Sequence, residues 1–404
     1  MAATPAPPRR AIVWVSGLAQ HTTDQSAEGF ARRLAVETDW LDPSSAEYEV
    51  RTRSTVAATE AVLPGDAACT IVRTLGGAER YADVYALATE DVLVGRLRRG
   101  SLFAKLAVVG GVLLRHVTTL ARFVSTRGKT RRERAQVLYA VFVALLLVIA
   151  FVGLFAALAG TFAAGDIPWL PMWAEGLVLG FGGLTIWKSK IFSVLADGGL
   201  LAAKLMRYLD RPGKADRELR GQLYTLLDEL GRRGEHDQVD VVAYSFGALV
   251  AIDGCFPKTD PPPLAIAQIG RLVTVAMPFD FVRAYWKPYF TGRYGTPPAD
   301  GWWVNVYTPG DVLSSNFAND PDPQAAPVDG IVLDGNNGAG VPVVTPTNRV
   351  YRLDGVSAPA SGLKLLVLDG LQMHGRYWDE DHADATVFGK VAQALELAPP
   401  PTSA

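Results

Sequence analysis

The chain has 404 residues, a formal net charge of -2 and a hydrophobic fraction of 49%. Its length allows one large domain with an insertion, or two domains, and a charge so close to zero excludes a general attraction to nucleic acid. Two cysteines, Cys69 and Cys255, are too few for a disulfide framework or a zinc-site spacing. We expect both to be small buried side chains in a reducing compartment.

The first ninety residues alternate strands and helices, as a doubly wound sheet does. The patterns predict a strand at 11–15, an amphipathic helix at 27–36, and further strands at 48–55 and 82–87. A loop beginning Ser16-Gly17-Leu18 follows the first strand. Arg9 and Arg10 precede only a short apolar run, which does not resemble a signal peptide, so we expect the polar part of the protein to be cytoplasmic.

Residues 96–210 break this alternation and predict an inserted membrane region. Basic residues are frequent between Arg96 and Arg134, where Glu133 is the only acid. Such a stretch favours an amphipathic helix lying on an anionic membrane face. A solvated basic linker and an RNA-binding segment are the alternatives.

Two apolar segments follow, and we interpret them as a transmembrane hairpin with spans at about 136–160 and 167–187. Residues 135–162 carry no charged side chain, although a buried helix of a soluble protein remains an alternative. The second segment contains Glu175 and two prolines, but tryptophans lie near its ends and Lys188 follows it. Because positive charges flank the hairpin and its internal turn has none, both ends are predicted to face the cytoplasm.

After residue 210 the pattern of a soluble domain resumes. Leucines at helical spacing over 219–230 precede a β-branched strand at 239–242, a helical run at 248–252, and strands at 270–278 and 302–307. Later strands are indicated at 350–353 and 365–368, and a closing helix at 384–397. We therefore predict one α/β domain in two parts, 1–95 and 211–398, separated by the insertion at 96–210 and ending in a tail at 399–404.

The stretch 238–253 carries the strongest chemical signal. A strand leads into Ala243-Tyr244-Ser245-Phe246-Gly247, and a buried helix follows. A serine on a sharp strand-to-helix turn, with a small residue two positions away on each side, is the nucleophile-elbow arrangement. These residues resemble the α/β-hydrolase superfamily of serine esterases and lipases, although Ala243 stands where that superfamily usually has glycine. A serine that caps a helix of some other α/β domain is the alternative.

The resemblance implies an α/β-hydrolase-like, doubly wound, mostly parallel sheet, here interrupted by the helical membrane hairpin. It also implies a triad in the chain order serine, acid, histidine, which points to Ser245, Asp311 and His374. Asp311 follows a strand in a Pro-Gly-Asp turn, and His374 is preferred to His382, which lies among acidic residues.

The same resemblance implies an oxyanion hole of backbone N–H groups from Phe246, Gly17 and Leu18. We expect an esterase or lipase-like hydrolysis of an acyl or lipid ester, or of another small ester, through an acyl-enzyme. We also expect membrane lipid as a partner, no nucleic acid partner, and no metal or organic cofactor. Two other functions remain open: an inactive hydrolase-like membrane scaffold or signalling protein, and a membrane-disrupting effector.

Overall fold

In a computed structural model of the protein, the chain forms two compact units, Met1–Thr89 with Asp216–Ala404, and Glu90–Ala215. These divisions fall close to the predicted limits of the insertion. The structure describes residues 9–17, 27–42, 44, 46–52, 67–74, 78–87, 102–126, 131–163, 208–209, 214–258, 266, 269–295, 299–318, 325–334, 342–351, 373–374, 377 and 386–397.

The first unit is built on an eight-stranded sheet in the order β10-β7-β6-β5-β1-β4-β3-β2. Its strands are β1 (Arg10–Val15), β2 (Glu47–Thr52), β3 (Cys69–Thr74), β4 (Ala78–Leu87), β5 (Gln238–Tyr244), β6 (Ile269–Val275), β7 (Trp303–Tyr307) and β10 (Thr347–Val350). Only β3 pairs antiparallel with its neighbours, β2 and β4; every other pairing in this sheet is parallel. The mostly parallel α/β sheet expected from the sequence is therefore confirmed.

The central strands are buried on both faces, which explains their continuous β-branched runs. Every residue of β1 is buried, as are all residues of β5 after Gln238. On one face, α1 (Ala27–Leu41) and the last helix, α7 (Val387–Ala394), pack together over the strands. There Phe30 stacks on Trp14, with ring centroids 4.4 Å apart, and its ring lies 5.8 Å from that of Phe388.

The helix that follows β5 covers the second face of the sheet. This helix, α5 (Phe246–Cys255), is buried along its whole length and lies against β5 and β1. The helix before β5, α4 (Lys214–Arg233), presents the predicted leucine stripe, in which Leu219, Leu223, Leu226, Leu227 and Leu230 are all buried. Helices on both faces of a parallel sheet are the doubly wound arrangement.

The order of the strands reverses direction between β1 and β5. These two strands are neighbours, but β4, β3 and β2 lie beyond β1, whereas β6, β7 and β10 lie beyond β5. In open α/β sheets, the crevice at such a switch point, beyond the carboxyl ends of the strands, is the usual ligand site. Ser16 follows β1 and Ser245 follows β5, so both residues lie at this crevice.

Beyond β6 come α6 (Phe279–Tyr285) and a 3₁₀ turn at Lys287–Phe290. A separate antiparallel pair is formed by β8 (Ile331–Val332) and β9 (Val343–Val344). The sequence patterns did not predict β3, β8 or β9, and α1 runs five residues beyond its predicted end. The late strand expected at 350–353 overlaps β10 only at Val350, where β10 ends, and the strand expected at 365–368 lies outside the described residues.

The second unit contains α2 (Leu102–Thr126) and α3 (Arg131–Ala163), which pack against one another. His116 of α2 is buried, and its Nε2 lies 3.0 Å from the Ala140 carbonyl oxygen of α3. Among the helices that the structure describes, none has both the length and the apolar composition of a membrane-spanning segment. The first predicted span, 136–160, lies within α3 and is helical, but it is not identified as a span; the second, 167–187, lies outside the described residues.

Replacing Phe30 with alanine should test how much the α1 face stabilises the sheet. Loss of this buried ring is expected to lower the free energy of unfolding by about 3–5 kcal/mol, because it removes apolar contacts and leaves a cavity against Trp14. Val36→Ala on the same helix is the matched control, since Val36 is 66% exposed; it should change stability by no more than about 0.5 kcal/mol. Equal denaturant midpoints for the two variants would contradict the packing described here.

Candidate active site

The turn between β5 and α5 holds Ser245 in a strained backbone conformation. Ser245 has φ 51° and ψ -117°, and a non-glycine residue in such a region costs of order 1–3 kcal/mol. Its amide donates to the Val275 carbonyl at 2.8 Å, and its carbonyl accepts from the Ala248 amide at 3.1 Å. The turn is therefore secured by β6 on one side and by the first turn of α5 on the other, and the side chain is left partly exposed.

Gly247 is the reason that the turn can be so sharp. A Cβ at this position would lie 2.3 Å from the Val15 carbonyl oxygen and 2.6 Å from that of Ser16. Both distances are shorter than any real Cβ contact, and the obstacles are backbone atoms that cannot rotate away. The start of α5 therefore touches the end of β1, and only glycine fits there. By contrast, Ala243 is fully buried within β5, so its methyl group is accommodated.

The structure brings together the three side chains predicted for the triad. The Ser245 hydroxyl lies 2.7 Å from His374 Nε2, and His374 Nδ1 lies 2.8 Å from Asp311 Oδ2. A proton on Nδ1 satisfies both contacts, because Nδ1 then donates to the carboxylate and Nε2 accepts from the hydroxyl. The carboxylate is fully buried and the imidazole is 15% exposed. A row that runs from a buried acid to an accessible hydroxyl can transfer the hydroxyl proton to the imidazole.

Asp311 is placed by the turn that ends β7. Its amide donates to the Thr308 carbonyl at 3.1 Å, which closes the turn. Its Oδ1 accepts from the Leu313 amide at 2.8 Å, leaving Oδ2 to face His374. An Asp in a Pro-Gly-Asp turn commonly bonds the backbone two residues on, so local turn chemistry orients this carboxylate.

A network of buried hydrogen bonds supports the loop that carries Asp311. Asn305 of β7 donates to the Ser315 carbonyl at 2.8 Å and to Asn348 of β10 at 3.0 Å. The Ser315 hydroxyl in turn donates to Asp280 of α6 at 2.6 Å. No local sequence pattern marks these residues, because each is an ordinary polar side chain until the strands are paired.

His374 is held by the residue that precedes the nucleophile. The Tyr244 hydroxyl donates to the His374 carbonyl, and the two rings stack with centroids 5.5 Å apart and an interplanar angle of 24°. Tyr244 is the last residue of β5 and is almost fully buried. One strand end therefore orients both the serine backbone and the histidine.

Two of the three predicted oxyanion-hole residues are described, and both adjoin Ser245. Phe246 follows Ser245 directly and begins α5. Gly17 lies so close that a Cβ there would be 3.3 Å from the Ser245 Cβ and 3.0 Å from the Tyr244 ring. Leu18, the third predicted residue, lies outside the described residues.

The remaining histidines do not compete with His374 for this site within the described part of the chain. His236 precedes β5 and so lies at the amino ends of the parallel strands, away from Ser245, which follows β5. There its Nε2 lies 2.7 Å from Asp83 Oδ2. His116 belongs to the other unit, and His21 and His382 lie outside the described residues.

Both cysteines are free and buried, as expected. Burial raises the pKa of Cys255 and of Cys69 to about 12, so each thiol stays protonated and is a poor nucleophile. Among the described residues, no group of three or more His, Cys, Asp or Glu side chains could hold a metal ion.

Comparisons of the chain with models of protein families, with curated proteins and with solved structures found no match. A function for this site therefore has to be inferred from its residues and their geometry. Ser245, His374 and Asp311 are joined in the order hydroxyl, imidazole, carboxylate, which is the order that lets a base activate a nucleophile.

Gly247→Ala should destabilise the protein by at least about 3 kcal/mol, because its methyl group collides with the Val15 and Ser16 carbonyl oxygens. Gly221→Ala is the matched control, since a Cβ at Gly221 of α4 meets nothing within 4 Å; it should raise stability by roughly 0.5–1 kcal/mol. Chemical denaturation of both variants checks this. A Gly247→Ala protein as stable as wild type would show that α5 does not approach β1 so closely.

Proposed function

We propose that the protein is a serine hydrolase that cleaves a carboxylic ester, with Ser245 as nucleophile, His374 as general base and Asp311 as the acid that orients it. The observation that carries the proposal is the pair of contacts in one row, 2.7 Å from Ser245 Oγ to His374 Nε2 and 2.8 Å from His374 Nδ1 to Asp311 Oδ2. These lengths lie within the range that general-base catalysis requires.

The proposed reaction begins when Ser245 Oγ attacks the ester carbonyl carbon and its proton passes to His374 Nε2. Asp311 accepts the Nδ1 proton in a hydrogen bond and stabilises the positive imidazolium. The negative oxygen of the tetrahedral intermediate is held by backbone N–H groups, for which Phe246 and Gly17 are the proposed donors. The imidazolium then protonates the leaving alkoxide, and the acyl group remains on Ser245.

Water completes the cycle in the second half of the reaction. His374 Nε2 takes a proton from a water molecule as the water oxygen attacks the acyl carbon. Return of that proton to Ser245 Oγ releases the carboxylic acid and restores the enzyme. No step needs a group other than these side chains, the backbone donors and water.

We further propose that the sheet belongs to the α/β-hydrolase type. The support is the strained serine between a buried strand and a buried helix, with Gly247 packed against the end of β1. The acid follows a later strand and the histidine comes after the acid, which is the order known for that type. An acyl or lipid ester is the proposed substrate class, because the apolar segment at 135–162 predicts attachment to a bilayer.

A fluorophosphonate probe should label the folded protein on Ser245, and Ser245→Ala should abolish the labelling. Ser44→Ala, which removes a hydroxyl on the loop before β2, is the control and should label like wild type. Labelling that persists in Ser245→Ala would exclude Ser245 as the nucleophile. A folded wild-type protein that takes no label and cleaves no short- or long-chain ester would favour a hydrolase-like domain kept for binding.

Asp311→Asn should lower kcat by roughly 10³- to 10⁴-fold. An amide NH2 group in place of Oδ2 donates to His374 Nδ1 and so favours the tautomer protonated at Nε2, which cannot accept the serine proton. Binding of substrate should change little, so KM is expected to stay within a few-fold of wild type. Steady-state kinetics on a soluble ester measures both constants. Equal kcat values for the variant and wild type would remove Asp311 from the proposed triad.

Attachment to a membrane, with the hydrolase unit on the cytoplasmic side, stays a prediction of the sequence. If residues 96–210 insert into a bilayer, the protein should remain in the membrane pellet in about 1 M salt, where surface charge is screened over about 3 Å, and should be released by detergent. Release by salt alone would reduce the attachment to electrostatic contact with lipid headgroups.

A further inference from the structure

Tyr377 lies beside the triad with its ring fixed in place. Its side chain is almost fully buried, and the ring centroid lies 6.0 Å from those of Tyr244 and Tyr351 and 6.4 Å from that of His374. Aromatic neighbours on several sides leave the ring little freedom to turn. The position of its hydroxyl is therefore set by the packing.

The hydroxyl of Tyr377 bridges the turn that carries Asp311. It accepts a hydrogen bond from the Thr308 amide at 3.0 Å and donates one to Asp311 Oδ2 at 3.1 Å. A phenol has a single proton, and the Thr308 amide occupies its acceptor side, so the proton is directed at the carboxylate. Burial, with the Asp311 carboxylate beside it, raises the pKa of Tyr377 well above its ordinary value, and the hydroxyl remains a donor throughout the neutral range.

One carboxylate oxygen is shared between Tyr377 and His374. Asp311 Oδ1 accepts from the Leu313 amide, whereas Oδ2 accepts from both His374 Nδ1 and the Tyr377 hydroxyl. Among the described residues, the other groups that meet the imidazole are neutral: the Ser245 hydroxyl, the Tyr244 ring and the Tyr377 ring. The charge felt by the imidazole therefore depends on how strongly Tyr377 competes for Oδ2.

We propose that Tyr377 is a positioning residue of the hydrolase site: its hydroxyl holds Asp311 Oδ2 toward His374 and withdraws part of the carboxylate charge, which sets how readily the imidazole gives up its proton. This inference rests on the proposed function of Ser245, His374 and Asp311. It goes beyond that function because it assigns control of the proton affinity of His374 to a residue that does not touch the reacting atoms.

Tyr377→Phe keeps the ring and removes only the hydroxyl. Without that hydrogen bond, the negative charge on Asp311 Oδ2 attracts the protonated imidazole more strongly, so the imidazole keeps its proton to higher pH. The acid limb of the kcat/KM profile on a soluble ester should therefore move up by about 0.5–1 pH unit, with kcat at the optimum falling about tenfold. KM should stay within about twofold, because the hydroxyl does not touch substrate.

Tyr48→Phe is the matched control at the far edge of the sheet. The Tyr48 hydroxyl also donates to a carboxylate, Asp42 Oδ2, at 2.7 Å, and also accepts a hydrogen bond, from Arg73 Nε at 3.1 Å. Its loss should lower stability in the same way and leave the acid limb unmoved. If Tyr377→Phe lowers kcat/KM by one factor at every pH, its role is structural only and the inference is overturned.

A stronger donor should have the opposite effect. Site-specific 3-fluorotyrosine at position 377 keeps the hydroxyl and makes it more acidic, so it draws more charge from Oδ2 and should move the acid limb to lower pH. This second variant decides the question if Tyr377→Phe does not fold. An acid limb that moves upward or not at all in the fluorinated protein would contradict the inference.

A readout without turnover separates this inference from the proposed function. In protein with ¹³C-labelled histidine, the His374 signal, identified by its loss in His374→Asn, can be titrated in wild type and Tyr377→Phe. A higher midpoint in Tyr377→Phe supports the charge sharing even if no ester is cleaved, in which case only the proposed function fails. Equal midpoints in an active enzyme would overturn the inference alone.

Discussion

The close approach of Gly247 to the end of β1 is the contact on which the rest of the site depends. With no Cβ in the way, the first turn of α5 reaches the Val15 and Ser16 carbonyl oxygens, and the chain can reverse at Ser245 within one residue. The strain at Ser245 is offset by burial of α5 along its whole length. The same contact brings Gly17 against the serine, so that the ends of β1 and β5 form one side of the crevice at the switch point of the sheet.

The acid and base are assembled on this frame from elements far apart in the chain. A fully buried carboxylate is costly unless donors surround it, and Asp311 accepts hydrogen bonds from the Leu313 amide, His374 and Tyr377. The polar chain through Asn305 and Ser315 holds the loop that carries it. Tyr244 completes the arrangement, because one side chain at the end of β5 ties the histidine loop to the nucleophile strand. The row from Asp311 to Ser245 is thus a consequence of strand pairing.

The sequence predicted the elements whose residues are patterned locally. Buried β-branched runs indicated β1, β5, β6 and β7, and the small residues around Ser245 indicated the sharp turn. Asp311 and His374 were predicted through the order known for a resembling superfamily, and the structure places His374 beside Ser245 and Asp311 beside His374. By contrast, β3 was missed because its residues, CTIVRT, neither alternate nor form a long apolar run. The support from Asn305 and the donor role of Tyr377 depend on distant partners, which no local pattern encodes.

The apolar run at 135–162 predicted a helix correctly. Apolar composition alone could not decide whether that helix is surrounded by a bilayer or by protein.

A crystal structure of the protein after reaction with a fluorophosphonate would show whether Ser245 is the nucleophile of an assembled triad. We expect a phosphorus atom bonded to Ser245 Oγ, with the phosphonyl oxygen about 2.7–3.1 Å from the amide nitrogens of Phe246 and Gly17, and with His374 still hydrogen-bonded to Asp311. An adduct on any other residue, or a phosphonyl oxygen turned away from both amides, would contradict it.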